Sequence, residues 1–300
     1  MDNPANSNQS LSEAIIKTIA FFDLFEFPLT AYEIWEDLDQ KPSLVATLRL
    51  LDQATTAGNQ LIQQKNGLYF LNGRENILAT RQQRYNYTNR KIKIARRFAR
   101  LFGLCPFVKT VALANIIGSH NLRDGSDIDF FIITAPQRIW LTRLYCAGLA
   151  KILNVRPTAQ NKKDKVCLSF YISTSHLDLS DLRLTGQDPY FDHWRHGLFL
   201  LYNREGVYDN FLAANNLATA GSEAATPNQL SRNHPLGLWL EAMAKTIQLK
   251  IMSPALKTAM NNSDGVVIND AVLKLYWSDR RREFLEKYEQ KIRTTLPVAD

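Results

Sequence analysis

The residues that say most about the architecture of this chain run Gly118-Ser119-His120-Asn121-Leu122-Arg123-Asp124-Gly125-Ser126-Asp127-Ile128-Asp129-Phe130-Phe131-Ile132-Ile133. A Gly-Ser turn and a polar loop precede an apolar run that opens with Asp-x-Asp, and such a run predicts a buried β-strand. Because side chains alternate between the two faces of a strand, Asp127 and Asp129 are expected on one face and Ile128 on the other. Two carboxylates this close repel each other unless a cation lies between them. The pair is therefore a candidate cation site.

The residue types around this pair favour phosphate chemistry. Mg²⁺ prefers hard oxygen ligands and leaves coordination positions open for substrate phosphates. Upstream, Gly118 allows the backbone to approach a phosphate closely, and Ser119 adds a hydroxyl group. Arg123 and Ser126 in the loop are further candidates for nucleotide contact, although Arg123 has Asp124 as an alternative partner and Ser126 has the alternative of capping its own loop. Together these residues predict a phosphoryl or nucleotidyl transfer site.

The same motif resembles the signature of the nucleotidyltransferase superfamily, which includes DNA polymerase beta, the aminoglycoside nucleotidyltransferases and the small minimal nucleotidyltransferases. The likeness covers about twenty residues. Its context agrees, since an apolar run from Val108 to Ile117 enters the Gly-Ser turn and a helix is predicted from Pro136 to Leu153. The resemblance implies a mixed sheet flanked by helices, Mg²⁺ held by Asp127 and Asp129, and transfer of a nucleoside monophosphate from a nucleoside triphosphate to an acceptor hydroxyl of unknown kind. It also implies that Gly118 and Ser119 hold the triphosphate.

One part of the family pattern is missing from the sequence. The family usually has a third carboxylate on a later strand, and the candidate strand here, Val166 to Ser173, contains no acid. Ser169 takes the expected place, and a serine cannot replace a charged metal ligand or a carboxylate base. Asp164 and Asp178 flank this strand and are the alternative acids. Activity is therefore left open between a Mg²⁺-dependent nucleotidyltransferase and a nucleotide-sensing or catalytically inactive regulatory protein.

Residues 1–73 are predicted to form a winged-helix domain. Three helical segments are followed by two short apolar runs on either side of Asn66-Gly67, which is a strong hairpin signal. Thr30 and Glu33 have the spacing of a capping box at the start of the second helix. The third helix carries a single basic residue, Arg49, and the three helices together are acidic, whereas phosphate contact requires positive charge. DNA binding is possible, but the composition favours a structural or protein-contacting role.

Residues 74–106 are predicted to form a connecting helix with an unusual charge pattern. One acid, Glu75, stands against a series of basic residues: Arg81, Arg84, Arg90, Lys91, Lys93, Arg96, Arg97 and Arg100. Two interpretations remain open: an ordinary solvated basic face, or a surface that attracts a triphosphate or a nucleic-acid acceptor.

The remaining segments complete an α+β prediction. Residues 107–180 are expected to form the nucleotidyltransferase-type core, and residues 181–300 a mostly helical C-terminal region. Within that region the stretch from Leu217 to Pro235 is rich in Ala, Ser, Thr, Asn and Pro, which predicts a linker or lid.

Composition limits the environment and the partners. The chain has 300 residues, 45% of them hydrophobic, and a net charge of +7, which favours an anionic partner. Three widely spaced cysteines are typical of buried thiols in a reducing cytosol. Because no apolar run reaches the length of a membrane span and the N-terminus lacks a secretory signal, the sequence predicts a cytoplasmic protein with no membrane partner.

Overall fold

The computed structural model describes residues 4–38, 40–56, 61–217, 235–260, 264–276 and 278–296, with the side chains described from residue 10 onward. It is a mixed α+β structure with two sheets. Almost all of the predicted linker or lid between residues 217 and 235 lies outside the described residues.

The helices are α1 (Pro4–Asp23), α2 (Ala31–Asp37), α3 (Leu44–Thr56), α4 (Ile77–Gly103), α5 (Ile139–Ile152), α6 (Pro189–His196), α7 (Val207–Ala214), α8 (Pro235–Ile251), α9 (Pro254–Ala259) and α10 (Arg281–Thr295). The strands are β1 (Leu29–Thr30), β2 (Ile62–Lys65), β3 (Leu68–Leu71), β4 (Val108–Leu113), β5 (Ile128–Thr134), β6 (Val166–Ser173), β7 (Phe199–Asn203), β8 (Val266–Ile268) and β9 (Val272–Leu275). Among these helices, none combines the length and the hydropathy that crossing a bilayer requires.

The chain divides into two compact units. One, which we call the terminal unit, contains residues 1–86, 117–121 and 281–300. The other, the central unit, contains residues 87–116 and 122–280. The division falls inside α4, and the terminal unit takes residues from both ends of the chain, so the compact units cut across the segments proposed from the sequence.

The terminal unit confirms the local signals found in its sequence. Thr30 accepts a hydrogen bond from the Glu33 backbone N–H and the Glu33 side chain accepts one from the Thr30 backbone N–H, which is the predicted capping box of α2. Strands β2 and β3 form the predicted antiparallel hairpin, and β1 adds to its other edge. Asn66 and Gly67 have φ angles of 55° and 77°, the positive values that a tight two-residue turn requires.

The central unit is built on a six-stranded sheet in the order β7-β4-β5-β6-β9-β8. Strands β5 and β6 are parallel and α5 connects them, whereas the other neighbours are antiparallel. Aromatic rings of Phe131, Phe170, Trp194 and Phe211 pack together, with Phe170 and Trp194 stacked at 5.4 Å between ring centroids. A larger apolar cluster joins the sheet to α4 and α5 through residues such as Phe102, Phe130 and Trp140.

The prediction of a helical C-terminal region was wrong in part. Residues 181–300 contain α6 to α10, but they also provide β7, β8 and β9, which are half of the large sheet. These strands have three to five residues, a length at which hydrophobic period does not separate strand from helix. The β8–β9 turn has its own side-chain cap, because the Asn269 Oδ1 accepts hydrogen bonds from the backbone N–H groups of Ala271 and Val272.

Candidate metal and nucleotide site

Asp127 and Asp129 come together at the start of β5. Asp127 lies directly before the strand, Asp129 is its second residue, and Ile128 between them is fully buried. In the parallel β5–β6 pair, Asp129 lies opposite Cys167. One ligand atom from each of Asp127, Asp129 and Cys167 lies within 4.8 Å of the others. The predicted pairing of the two carboxylates on one face is confirmed, and a thiol accompanies them.

Asn115 holds the backbone that carries the pair. Its side-chain Nδ2 donates a hydrogen bond to the Asp127 carbonyl oxygen at 2.9 Å, and its Oδ1 accepts one from the Asp129 backbone N–H at 3.5 Å. The Ala114 backbone N–H donates to the Asp129 carbonyl oxygen at 2.8 Å. Sequence reasoning missed Asn115, although a single amide at the end of the apolar run from Val108 to Ile117 was a usable signal.

Ionisation of the two carboxyl groups is unfavourable in this site. Burial, and then the charge of Asp127, raise the pKa of Asp129 to about 7. Burial also raises the pKa of Asp127, against the opposing effect of the Lys162 and Lys91 charges. A bound cation would stabilise both ionised carboxylates and so relieve this penalty.

On β6, the strand on which the resemblance predicts a third acid, a thiol and a hydroxyl lie close together. The Cys167 Sγ donates a hydrogen bond to the Ser169 Oγ at 3.4 Å. Burial raises the pKa of the Cys167 thiol well above its usual range, and the charge of Asp129 adds to the shift. Tyr276, directly after β9, belongs to the same neighbourhood, because burial and then the charges of Asp129 and Cys167 raise its pKa. Sequence reasoning did not single out Cys167 or Tyr276 for this site.

The two flanking acids have other partners. Asp164 accepts a hydrogen bond from the Lys91 Nζ at 2.8 Å and forms an ion pair with Arg90 at 3.0 Å. Asp178 accepts a hydrogen bond from the Ser180 backbone N–H at 2.8 Å. Within the described part of the chain, the acid-and-thiol cluster contains neither of them.

A buried lysine anchors the loop before the carboxylate pair. Lys91 on α4 has no exposed side-chain surface, and its Nζ donates to the Ser126 carbonyl oxygen at 2.5 Å as well as to Asp164. The Ser126 hydroxyl donates to the Arg123 carbonyl oxygen at 3.0 Å, so Ser126 caps its own loop, as the alternative interpretation held. The Arg123 side chain is exposed. Asp124, named above as an alternative partner for Arg123, binds Arg90 and Lys163, and hydrogen bonds from Lys163 and Arg90 lower its pKa to about 2.

Gly118 and Ser119 belong to the terminal unit, whereas Arg123, Ser126 and the two aspartates belong to the central unit. Gly118 has a φ of 83°, and a Cβ atom placed on it would lie 2.6 Å from the Phe27 ring. Conformation and packing therefore explain a glycine at this position without reference to any ligand. The Ser119 Oγ lies 3.1 Å from the His120 Nδ1 and is exposed.

The donor set fits a hard divalent cation supported by few protein ligands. Two adjacent carboxylates are typical Mg²⁺ ligands, and water or phosphate oxygens complete the coordination in such sites. The Cys167 sulfur is a soft donor that Mg²⁺ does not prefer, and its raised pKa keeps it protonated. Asp127 and Asp129 are thus the residues that would hold the ion.

Comparison of the chain with protein-family models, with curated proteins and with solved structures gave no match.

Proposed function

We propose that this protein is a Mg²⁺-dependent nucleotidyltransferase that transfers a nucleoside monophosphate from a nucleoside triphosphate to an acceptor hydroxyl. The observation that carries the proposal is the approach of Asp127 and Asp129 within 4.8 Å at the start of a strand in a mixed sheet. The likeness of the Gly118–Ile133 stretch to the nucleotidyltransferase signature supports it. We also propose that the central unit contains a nucleotidyltransferase-type core.

The residues of the chain divide the work as follows. When bound, Mg²⁺ would offset charge on the triphosphate and on the pyrophosphate leaving group. Asp127 and Asp129 supply the negative charge that holds the ion, and Asn115 fixes the backbone between them. The Lys91 ammonium keeps the preceding loop in place. The assignment of triphosphate contacts to Gly118 and Ser119 rests on the resemblance alone.

A second candidate function has its own supporting observation. Cys167 and Ser169 lie on β6, the strand on which the resemblance predicts the third carboxylate, and a protonated thiol cannot take a proton from an acceptor hydroxyl. This favours a protein that binds nucleotide without turnover, as a sensor or regulator. In the terminal unit, α3 exposes Leu44, Val45 and Leu48, with 38%, 57% and 43% of their surface accessible. An apolar surface of this kind suits a protein partner better than DNA phosphates. We propose that this part of the chain is a winged-helix module and that it binds a protein partner through α3.

Calorimetric titration with each of the four ribonucleoside triphosphates tests the shared part of both candidates. We expect binding that requires Mg²⁺ and that weakens at least roughly tenfold in Asp127→Asn, since a metal-ligand carboxylate is lost. Asp209→Asn, at a position on α7 of the same unit, is the control and should bind as the wild type does. Absence of Mg²⁺-dependent binding to every triphosphate would reject both candidates.

Pyrophosphate release then separates the two candidates. An active transferase releases pyrophosphate with any competent acceptor and, slowly, with water as the acceptor. A sensor binds the Mg²⁺ complex and releases none. Asp129→Asn must abolish any release that is observed, because release that survives this substitution would come from a contaminating enzyme.

A further inference from the structure

The terminal unit contains a groove of about 860 Å³, and Ser119 is the one residue of its lining to which the proposed function assigns a role. Its walls come from the turn of the β2–β3 hairpin, the first three turns of α4 and the segment Ser119-His120, all of which belong to the terminal unit. The volume falls in the range of small-molecule sites, roughly 300–1,000 Å³. The chemistry of the wall decides what such a groove can hold.

Two aromatic rings in contact, tilted against each other, form one side of the groove. The rings of Tyr85 and His120 lie 4.8 Å apart between centroids with an interplanar angle of 31°. Tyr85 lies on α4 and is 52% exposed, so its ring is available to a ligand. Burial, and then the charge of Arg81, lower the pKa of His120, which favours its neutral imidazole form. The exposed face of an aromatic ring such as that of Tyr85 can accept a further planar ring.

The cations of the groove are already paired with carboxylates. Both terminal nitrogens of Arg81 donate to the Glu33 carboxylate, at 2.8 and 2.9 Å, and its guanidinium group lies 4.2 Å from the centroid of the Phe27 ring. Lys65 forms an ion pair with Glu75. A ligand phosphate would have to compete with these carboxylates, so charge is not the main attraction.

Three exposed side-chain amides complete the recognition surface. Asn66 from the hairpin turn, and Gln82 and Asn86 from α4, line the groove and carry both donors and acceptors. Gln82 and Asn86 are four residues apart on one helix face, with Tyr85 between them. Amides paired with an exposed aromatic ring are the combination that reads the edge of a base while its face is stacked.

We propose that this groove binds a nucleobase, with the base stacked on Tyr85 and its edge hydrogen-bonded by the amides of Gln82, Asn86 and Asn66. The base comes either from a free nucleoside or nucleotide or from an unpaired position of a single strand, and the chemistry of recognition is the same. The inference does not depend on Asp127 and Asp129, since no residue of the groove belongs to the central unit.

The test is a titration of the full chain in EDTA with four nucleosides, their 5′-monophosphates and single-stranded octaribonucleotides of each base, followed by ligand-observed NMR. We expect at least one base to bind, and Tyr85→Ala to weaken that binding roughly tenfold or more, because base–aromatic stacking is lost. Tyr85→Phe should bind as the wild type does. Tyr32→Ala is the matched control, since Tyr32 is an exposed tyrosine of the same unit, at 54%, outside the groove, and its removal should change the affinity less than twofold.

The relative affinities of these ligands show which source the base comes from and whether the groove binds a base. An octaribonucleotide that binds at least tenfold more tightly than its nucleoside identifies a single strand, and similar affinities identify a free nucleoside or nucleotide. Nucleoside and monophosphate should agree within about threefold, since the groove cations are paired. Overturning results are no binding of any base, equal binding by Tyr85→Ala with its fold shown intact by circular dichroism, or affinity that requires the phosphate. Because EDTA removes Mg²⁺, failure here leaves the proposed transferase function untouched, and success here does not support it.

Discussion

The carboxyl group of Asp129 is central to the proposed metal site of the central unit. It lies next to Asp127 and opposite the Cys167 thiol, and burial together with the Asp127 charge raise its pKa to about 7. In an unfolded chain the same group has a pKa of about 3.9. The folded protein therefore binds this proton more tightly than the unfolded chain does, and stability is linked to pH through it.

Raising the pH from 5 to 8 should lower the free energy of unfolding in the absence of divalent cations. The contribution of a raised pKa is complete below about pH 4 and is lost as the pH rises through about 7, when Asp129 ionises in the folded state. We expect Asp129→Asn to remove roughly 3 kcal/mol of this pH dependence, since about two pKa units lie between pH 5 and the folded pKa and each corresponds to about 1.4 kcal/mol. Urea unfolding at the two pH values measures the difference. A wild-type and variant pair with the same pH dependence would contradict the assigned repulsion.

A second prediction for a single residue concerns the replacement of Gly118 by alanine. Because its φ is 83° and a Cβ atom at this position would lie 2.6 Å from the Phe27 ring, Gly118→Ala introduces both backbone strain and a collision. We expect a loss of about 1–3 kcal/mol in stability. Gly125→Ala is the matched control, because a Cβ there meets nothing within 4 Å and Gly125 has no positive φ. Equal unfolding midpoints in urea for the two alanine variants would refute this explanation of Gly118.

At the scale of elements, α4 is tied to the loop before β5 by one buried ion pair. The Lys91 ammonium has no exposed surface and contacts only the Ser126 carbonyl and the Asp164 carboxylate among the hydrogen bonds seen in the described residues. The geometry of Asp127 depends on this loop, because Ser126 directly precedes it. The contact therefore connects the stability of the core with the position of the candidate metal ligands.

Asp164→Ala should be strongly destabilising because it leaves the Lys91 charge buried without a counter-ion. We expect a loss of about 3–5 kcal/mol, and recovery of a large part of it when Lys91→Met is added. Guanidinium unfolding of the two single variants and of the double variant gives the coupling. Lys163→Ala removes an exposed partner of the same network and should leave the unfolding midpoint nearly unchanged. Additive losses in the double variant would show that the pair is not coupled.

The elements that could be predicted from the sequence are those whose conformation is determined by residues close to one another in the chain. The capping box of Thr30, the Asn66-Gly67 hairpin, the long α4 and the Asp-x-Asp strand are all local patterns, and each of these elements is present. Cys167 could not be assigned to the cluster before the β5–β6 register was known, because no local pattern sets that register. The strands β7 to β9 were missed because short apolar segments take their conformation from the sheet edge that they join.

At the scale of the whole molecule, both ends of the chain build the terminal unit. Phe21 packs edge-to-face against Tyr288 of α10 and Phe25 packs in a tilted arrangement against Phe284 of α10, with ring centroids 5.8 and 5.1 Å apart. Asp23, only 3% exposed, forms ion pairs with Lys291 at 2.5 Å and with Arg74 at 2.7 Å. The N-terminal part of this unit is therefore completed by a helix from the far end of the sequence.

A chain that ends at residue 280 should lose protection in the terminal unit first. Removing α10 uncovers Phe21 and Phe25 and takes one of the two cations from Asp23. We expect amide hydrogen exchange in α1 to rise at least roughly tenfold, while exchange in β5 of the central unit stays within twofold of the full chain. Equal acceleration in α1 and in β5 would contradict the division into two compact units.

Titration with Mn²⁺ followed by electron paramagnetic resonance tests whether Asp127 and Asp129 form a divalent-cation site. Mn²⁺ takes the oxygen ligands that Mg²⁺ takes and is observable without any nucleotide or acceptor. We expect one Mn²⁺ site per chain, from which Mg²⁺ displaces the Mn²⁺ and which both Asp127→Asn and Asp129→Asn abolish. Its affinity should increase as the pH rises through about 7, because the ion competes with the Asp129 proton. A Mn²⁺ site that persists in both variants, or the absence of any site at pH 8, would contradict this expectation.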